Sequence, residues 1–278
     1  MSLRRHLRKL VDLSGSFARQ PGVSFRLLGQ LSWVRRGFDY AQHFESAAVD
    51  PPGPPLPPPG TAVASSNPLK EFFDSRDTGR GISKWTHYFD IYNRHFSRFV
   101  GKEVKVLEIG VFSGGSLEMW RHYFGPRCRV YGVDVNEACR SYGNEFTEIF
   151  IGDQADRGFW KVFKKRVPHL DILVDDGGHR PEQQIATLEE MLPHLRPGGV
   201  YLCEDIHGTH NGFAAYMLGL VRNLNAMTDD PSQPGVRPSP LQASIHSVHF
   251  YPYVTVIEKT ERPVPLFIAP RRGTEWQA

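Results

Sequence analysis

Apolar and polar residues along this chain alternate between two rhythms. Short runs rich in β-branched residues at 104–109, 129–134, 147–151, 171–175 and 199–204 read as buried strands. Between them, 116–124, 136–141, 157–166, 181–195 and 212–226 read as helices. Such alternation predicts an α/β fold, a parallel sheet with helices on both faces. Two further β-rich runs, 245–250 and 253–258, flank Tyr251-Pro252 and predict an antiparallel pair. Upstream, 67–102 has a polar, glycine-broken first half that reads as a loop, then an aromatic-rich helix over 85–99. The run PPGPPLPPPG at 51–60 cannot be helix or interior strand, because its prolines remove donors and fix φ, so 51–66 is expected to be an extended linker. The chain therefore divides into a basic helical segment at 1–50, the linker, a helical lead-in at 67–102 and an α/β domain at 103–270.

Composition narrows this picture only slightly. At 278 residues the chain accommodates one domain of roughly 200 residues plus appendages. Its 40% hydrophobic and 23% charged residues are ordinary for a globular protein, and a net charge of +3 gives no case for a nucleic-acid partner. Cys128, Cys139 and Cys203 lack metal-ligand spacing. Cys203 lies in an apolar strand pattern, so a buried free thiol in a reducing cytoplasm is expected. No apolar run reaches the ~20 residues that span a bilayer, and no secretory pattern opens the chain. Over 1–36, Arg4, Arg5, Arg8, Lys9, Arg19, Arg26, Arg35 and Arg36 face Asp12 alone. Leu3, Leu7, Leu10 and Val11 share a helical face, which suits an anionic membrane surface. A solvated or oligomer-packing terminal helix is favoured over that reading, and a homo-oligomer is the expected assembly.

Candidate chemistry starts at 104–115, VKVLEIGVFSGG. A dinucleotide turn would read G-x-G-x-x-G. Here Glu108 precedes Gly110, and Gly114 follows four positions later. A carboxylate there repels a diphosphate yet suits a cofactor with an amine and a sulfonium. The pattern resembles the first motif of the class I S-adenosylmethionine-dependent methyltransferases. Asp134, ending the second strand, is placed to accept ribose hydroxyls, although a helix cap near Asn136 would also use such residues. Asp153, ending the third, is the candidate for the adenine edge or, alternatively, a capping residue. The resemblance implies a cofactor set of Glu108, Gly110, Gly114, Ser116, Asp134, Asp153 and Asp175. It also implies a doubly wound, mostly parallel seven-stranded sheet, the Rossmann-like methyltransferase fold, with an antiparallel C-terminal strand.

A second constellation joins DILVDDGGH at 171–179 to LCED at 202–205. Neighbouring strands would bring Asp176, Glu204 and Asp205 to one carboxyl edge, where three unpaired carboxylates repel. A hard divalent cation such as Mg²⁺ relieves that repulsion. Period-two alternation turns Glu204 and Asp205 to opposite faces, so joint ligation requires the strand to end there. DDGGH, the following ED and the upstream HYFDIY resemble the metal-dependent O-methyltransferases of macrolide sugar tailoring, whose relatives include proteins named for cephalosporin hydroxylation. The resemblance implies Asp176, Glu204 and Asp205 as metal ligands and His179 as base, with a structural hydrogen bond the rival role for His179. Gly178 stands where that group more often has Ser, and the segment before 67 replaces an auxiliary domain of the macrolide enzymes. His207 and His210 read as solvent-facing or substrate contacts, and His87, Tyr88, Tyr92 and His95 as packing residues, with a lid over substrate or cofactor the alternative for His87 and Tyr88. The loop at 78–81 reads as a flap over the cofactor.

These readings converge on Mg²⁺-dependent methyl transfer from S-adenosylmethionine to a hydroxyl of a small molecule, of sugar or natural-product type. An NAD oxidoreductase is opposed by Glu108. A non-catalytic scaffold is opposed by the electrostatic cost of the carboxylate cluster. A hydroxylase is opposed by the all-oxygen ligand set, since redox iron favours two histidines and one carboxylate.

Overall fold

A computed structural model describes residues 31–42, 67–208, 210–226 and 235–274. The chain forms two compact units, Met1–Ala64 and Ser65–Ala278. In the first, α1 (Leu31–Gln42) carries an Arg35–Asp39 pair one turn apart at 3.2 Å. The amphipathic residues before 31 and the linker at 51–66 lie outside the described residues.

The second unit opens with a helix where the sequence reading expects a loop. In α2 (Pro68–Asp74) the Asn67 side chain accepts from the backbone N–H groups of Leu69 and Lys70, and Pro68 takes the first helical turn, where its missing N–H costs nothing. The glycine-broken polar stretch begins only after it. α3 (Tyr88–Phe96) is shorter than expected and ends in a 3₁₀ turn, Ser97–Phe99.

From there strands and helices alternate: β1 (Val104–Ile109), α4 (Gly115–Phe124), β2 (Cys128–Asp134), a 3₁₀ helix at Glu137–Tyr142, β3 (Thr147–Ile151), α5 (Arg157–Arg166), β4 (Leu170–Asp175), α6 (Pro181–Met191), β5 (Leu195–Cys203), α7 (Gly212–Leu224), α8 (Pro240–Ser244), β6 (Ile245–Tyr251) and β7 (Val254–Lys259). The seven strands form one sheet in the order β3-β2-β1-β4-β5-β7-β6. All neighbours pair in parallel except β7, antiparallel to both β5 and β6. α6 stops four residues before the predicted end, because β5 begins already at Leu195 and runs through a register irregularity before Val200.

β1, β4 and β5 lie inside the sheet and are covered on both faces, so they read as near-continuous apolar runs. On one face Val106, Val174, Leu202 and Val256 pack with aromatics of α3 and α4. Tyr92, Phe96 and Trp120 there are fully buried, with the Tyr92 and Trp120 rings edge to face at 5.1 Å. Truncating such an aromatic to Ala removes ~3–5 kcal/mol. On the other face Leu107, Ile109, Leu173, Tyr201 and Ile257 pack with α5, α6 and α7. Cys128, Cys139 and Cys203 are buried free thiols.

Candidate active site

Strand register decides which acids meet. Ile109 pairs with Asp175, and Asp175 pairs with Cys203. One residue further, the Asp176 N–H donates to the Ile109 carbonyl at 3.0 Å, and the Glu204 N–H to that of Asp175 at 2.9 Å. Alternation then turns Glu108, Asp176 and Glu204 toward α3, and Asp175 and Cys203 to the far face.

Three acids on one buried edge need a cation, and the chain supplies one. Lys84, in the loop before α3, has a side chain only 3% exposed. Its Nζ lies 2.6 Å from Asp176 Oδ2, 2.9 Å from Glu204 Oε2 and 3.6 Å from Glu108 Oε1. Burial alone would lower the Lys84 pKa, but the surrounding Glu204, Tyr92, Asp176 and Glu108 outweigh it and hold the group well above its ordinary value. Burial pushes the Glu204 carboxyl up, against the opposing pull of Lys84. The Tyr92 hydroxyl donates to Glu204 Oε1 at 2.6 Å, and the Tyr88 hydroxyl to Asp205 Oδ1 at 2.7 Å. Burial and these carboxylates raise both phenols, so they stay protonated and act as donors.

β5 ends at Cys203, and Asp205 takes φ +54°. That left-handed turn breaks the alternation which would have sent Asp205 away from Glu204. His179 also sits at φ +54°. Its Nε2 lies 3.9 Å from Asp176 Oδ1 and 3.8 Å from Asp205 Oδ2. Two non-glycine residues held in this region within one site represent strain of the kind that accompanies function.

Two cavities meet at the cluster. The first, about 440 Å³, is lined by Gly81, Gly110, Ser116, Asp134, Asp176 and His179 among others. The second, about 430 Å³, is lined by Lys84, Trp85, Tyr88, Asp176, Glu204 and Asp205 with two neighbours. Ser83, Lys84 and Asp176 belong to both. Gly110, at φ +89°, is required twice over: a Cβ there would collide with the Asp176 carbonyl oxygen.

The expected cofactor residues separate into groups. Gly110, Ser116 and Asp134 line the first cavity. Asp134 Oδ2 accepts from the N–H groups of Val111 and Phe112 at 2.9 and 3.1 Å, bracing the glycine turn, and Oδ1 accepts from Asn136 N–H at 2.8 Å. Asn136 caps the 3₁₀ helix that follows. Gly114 is the left-handed residue from which α4 starts, set against the Tyr142 ring. Glu108 lies fully buried outside both linings. Its Oε2 accepts from the Ser116 hydroxyl at 2.6 Å, while Oε1 has no hydrogen-bond partner and faces Lys84. Asp153 is exposed, absent from both linings, and its Oδ1 accepts from Ala155 N–H at 2.8 Å in a local turn. Asp175 is turned to the far face, where Gln154 and Tyr201 donate to it at 2.9 and 3.2 Å. Asp153 thus stands in a local turn, and Asp175 is a buried node under the sheet.

That node has a measurable signature. Burial raises the Asp175 pKa to about 6, above an unfolded value of ~3.9. The stability linked to this group is complete below about pH 4 and is lost as pH rises through about 6, by about 3 kcal/mol. In Asp175→Asn, urea unfolding between pH 4 and 7.5 is expected to lose that decline relative to the parent. An unchanged difference across the range would show that Asp175 is ionised throughout.

The residues expected to hold a metal share this edge of the sheet. Among the described residues, Asp176, His179 and Asp205 place one ligand atom each within 4.8 Å of the others. Glu204 lines the second cavity, but its two oxygens are held by Lys84 and Tyr92. The donor set fits a hard cation, since Asp176 Oδ1 and Asp205 Oδ2 lie 3.9 and 3.8 Å from the same His179 Nε2, and the other Asp176 oxygen already binds the Lys84 ammonium at 2.6 Å. Nothing in the sequence singles out Lys84, and the packing role expected of Tyr92 and favoured for Tyr88 does not announce their hydroxyl contacts with Glu204 and Asp205.

The profile of a methyltransferase domain matches residues 107–206, a span from β1 through Asp205. Residues 107–206 are thus similar to a methyltransferase domain. The domain carries both acidic strand ends and the glycine turn. Its similarity extends to demethylmacrocin O-methyltransferase of Streptomyces fradiae, 33% identical over 63% of this chain and 50% of that protein. Mycinamicin VI 2''-O-methyltransferase of Micromonospora griseorubida is 34% identical over 60% of this chain and 47% of that protein. The chain spans about half the length of these curated relatives. Among solved structures, the MycE methyltransferase of the mycinamycin pathway, in complex with Mg and SAH, superposes with a TM-score of 0.57 at 27% identity, covering 70% of this chain and 54% of that one. The sheet order around the methyltransferase domain, with β7 alone antiparallel, is that of the Rossmann-like methyltransferase fold.

Proposed function

We propose that this chain transfers a methyl group from S-adenosylmethionine to a hydroxyl of a sugar or related natural product, with Mg²⁺ held at Asp176 and Asp205, and at Glu204 once Lys84 gives up its carboxylate oxygen. The observation that carries the reading is the pair of cavities joined at Lys84 and Asp176, one walled by the glycine turn and Asp134, the other by acids and an aromatic rim. Donor and acceptor can then meet at the shared wall. Asp134 would accept ribose hydroxyls, and Ser116 and the turn's backbone would hold the methionine end. Trp85, half exposed beside Tyr253 at 5.6 Å between ring centroids, offers an apolar face to a sugar ring. A divalent cation supplies Lewis acidity, lowering the pKa of a hydroxyl beside it. His179, 39% exposed at the mouth of the first cavity, would take the hydroxyl proton as the acceptor oxygen bonds to the methyl carbon and the sulfonium leaves as a thioether.

The test uses calorimetry with S-adenosylhomocysteine and transfer of labelled methyl to a panel of deoxysugar glycosides, with and without EDTA. Binding is expected for the nucleoside and absent for NAD, and Asp134→Ala should weaken it by ~1–3 kcal/mol. Transfer should require Mg²⁺. Binding of NAD in preference to S-adenosylhomocysteine would overturn the reading, and undiminished transfer in EDTA would remove the metal from it.

A further inference from the structure

A second set of ligating side chains lies away from both cavities. His95 closes the last turn of α3, His249 lies on β6 and Glu258 on β7, and one ligand atom of each lies within 4.8 Å of the others. Glu258 pairs with Val200, toward the opposite end of β5 from the catalytic acids, and none of the three lines either cavity. We propose that His95, His249 and Glu258 form a binding site for a transition-metal ion of the Zn²⁺ class, clipping α3 to the β6–β7 hairpin.

Four observations support it. Two imidazoles and one carboxylate are a ligand set suited to Zn²⁺ and its neighbours rather than to Mg²⁺. His95 Nδ1 already lies 3.0 Å from Glu258 Oε1, within the ~3.4 Å that tetrahedral ligands keep from one another. The other nitrogen of His95 meets the Tyr251 hydroxyl at 2.9 Å, the outer partner that fixes the tautomer and orientation of a ligating histidine. Ser247 Oγ, 3.0 Å from His249 Nε2 and 3.3 Å from Glu258 Oε2, leaves the fourth direction polar.

Arg98 is the competitor, with its guanidinium 2.9 Å from Glu258 Oε1. A purely structural ion pair of Glu258 with His95 and Arg98 would explain two of the ligands. It gives no reason for a second imidazole edge-on to the first at 4.7 Å between centroids. Arg98, 43% exposed, also donates to the Gly198 carbonyl at 3.1 Å and lies over the Phe99 ring, so it keeps partners of its own when Glu258 turns to a metal. The clip has a consequence, because α3 is the helix whose Tyr88 and Tyr92 reach Asp205 and Glu204.

The full-length protein, stripped with EDTA, is titrated with Co²⁺ and followed by the intense visible absorption of tetrahedral cobalt. The Asp176→Asn/Asp205→Asn variant removes the catalytic cluster and is expected to keep one Co²⁺ equivalent with that spectrum, displaced by Zn²⁺. His249→Ala should weaken it by more than ~100-fold, and Tyr251→Phe by ~10–100-fold with folding intact. Zn²⁺ should raise the melting temperature of the double variant, and adding His249→Ala to that variant should abolish the rise. Loss of all Co²⁺ binding in the double variant, or an unchanged spectrum in His249→Ala, overturns the proposal.

Discussion

His179→Ala is expected to lower the methyl-transfer rate by ~10²–10⁴-fold while leaving S-adenosylhomocysteine affinity nearly unchanged. The expectation follows from position. His179 is more than a third exposed and close to two carboxylates, yet no close hydrogen bond ties it to the core. A residue held so lightly contributes little to folding. Its backbone provides the control, because φ +54° costs a β-carbon but suits glycine. His179→Gly should therefore melt at or above the parent's temperature and be as slow as the alanine variant. Single-turnover rates set against melting curves separate the two roles. If both variants transfer methyl at the parental rate, His179 is not the base.

Lys84→Met should have the largest effect on the metal-free protein. It leaves Glu108, Asp176 and Glu204 facing one another in a buried site without their ammonium. Removing one partner of a buried charged set costs ~3–5 kcal/mol. The melting temperature in EDTA should drop accordingly, and millimolar Mg²⁺ should restore much of it by supplying the missing positive charge. The parent, with Lys84 in place, should respond to Mg²⁺ far less. A Lys84→Met protein as stable in EDTA as the parent would mean that these acids are protonated rather than paired.

The same residue marks where the sequence ceased to be legible. The sheet, its strand ends and the acidic pairs are legible because short apolar runs and glycine turns are local signals. Lys84 sits in a polar, glycine-rich loop, and nothing local separates it from a solvated lysine. Its importance appears only after β1, β4 and β5 are placed side by side and their acids counted on one face. That counting was available for Asp175. It immediately precedes Asp176 at the end of a strand, so alternation sends it to the opposite face, where Gln154 and Tyr201 hold it. Asp153 was read by analogy with a strand end, but only Gln154 turns inward there. α2 was missed because the glycines after Asp74 drew attention from the Asn67-Pro68 start that caps it. Tyr88 and Tyr92 were placed correctly on a buried face, but burial and function coincide on that face.

The position of β7 bears on how the chain is made. β5 is synthesised long before its partner, and until Val254–Lys259 emerges from the ribosome, the edge from Val200 to Cys203 has no strand to pair with. An unpaired apolar edge recruits other chains. Of the seven strands in this sheet β7 is synthesised after the others and joins beside the acidic cluster, so a nascent chain that stops short of it carries every carboxylate of that cluster and still exposes an adhesive border.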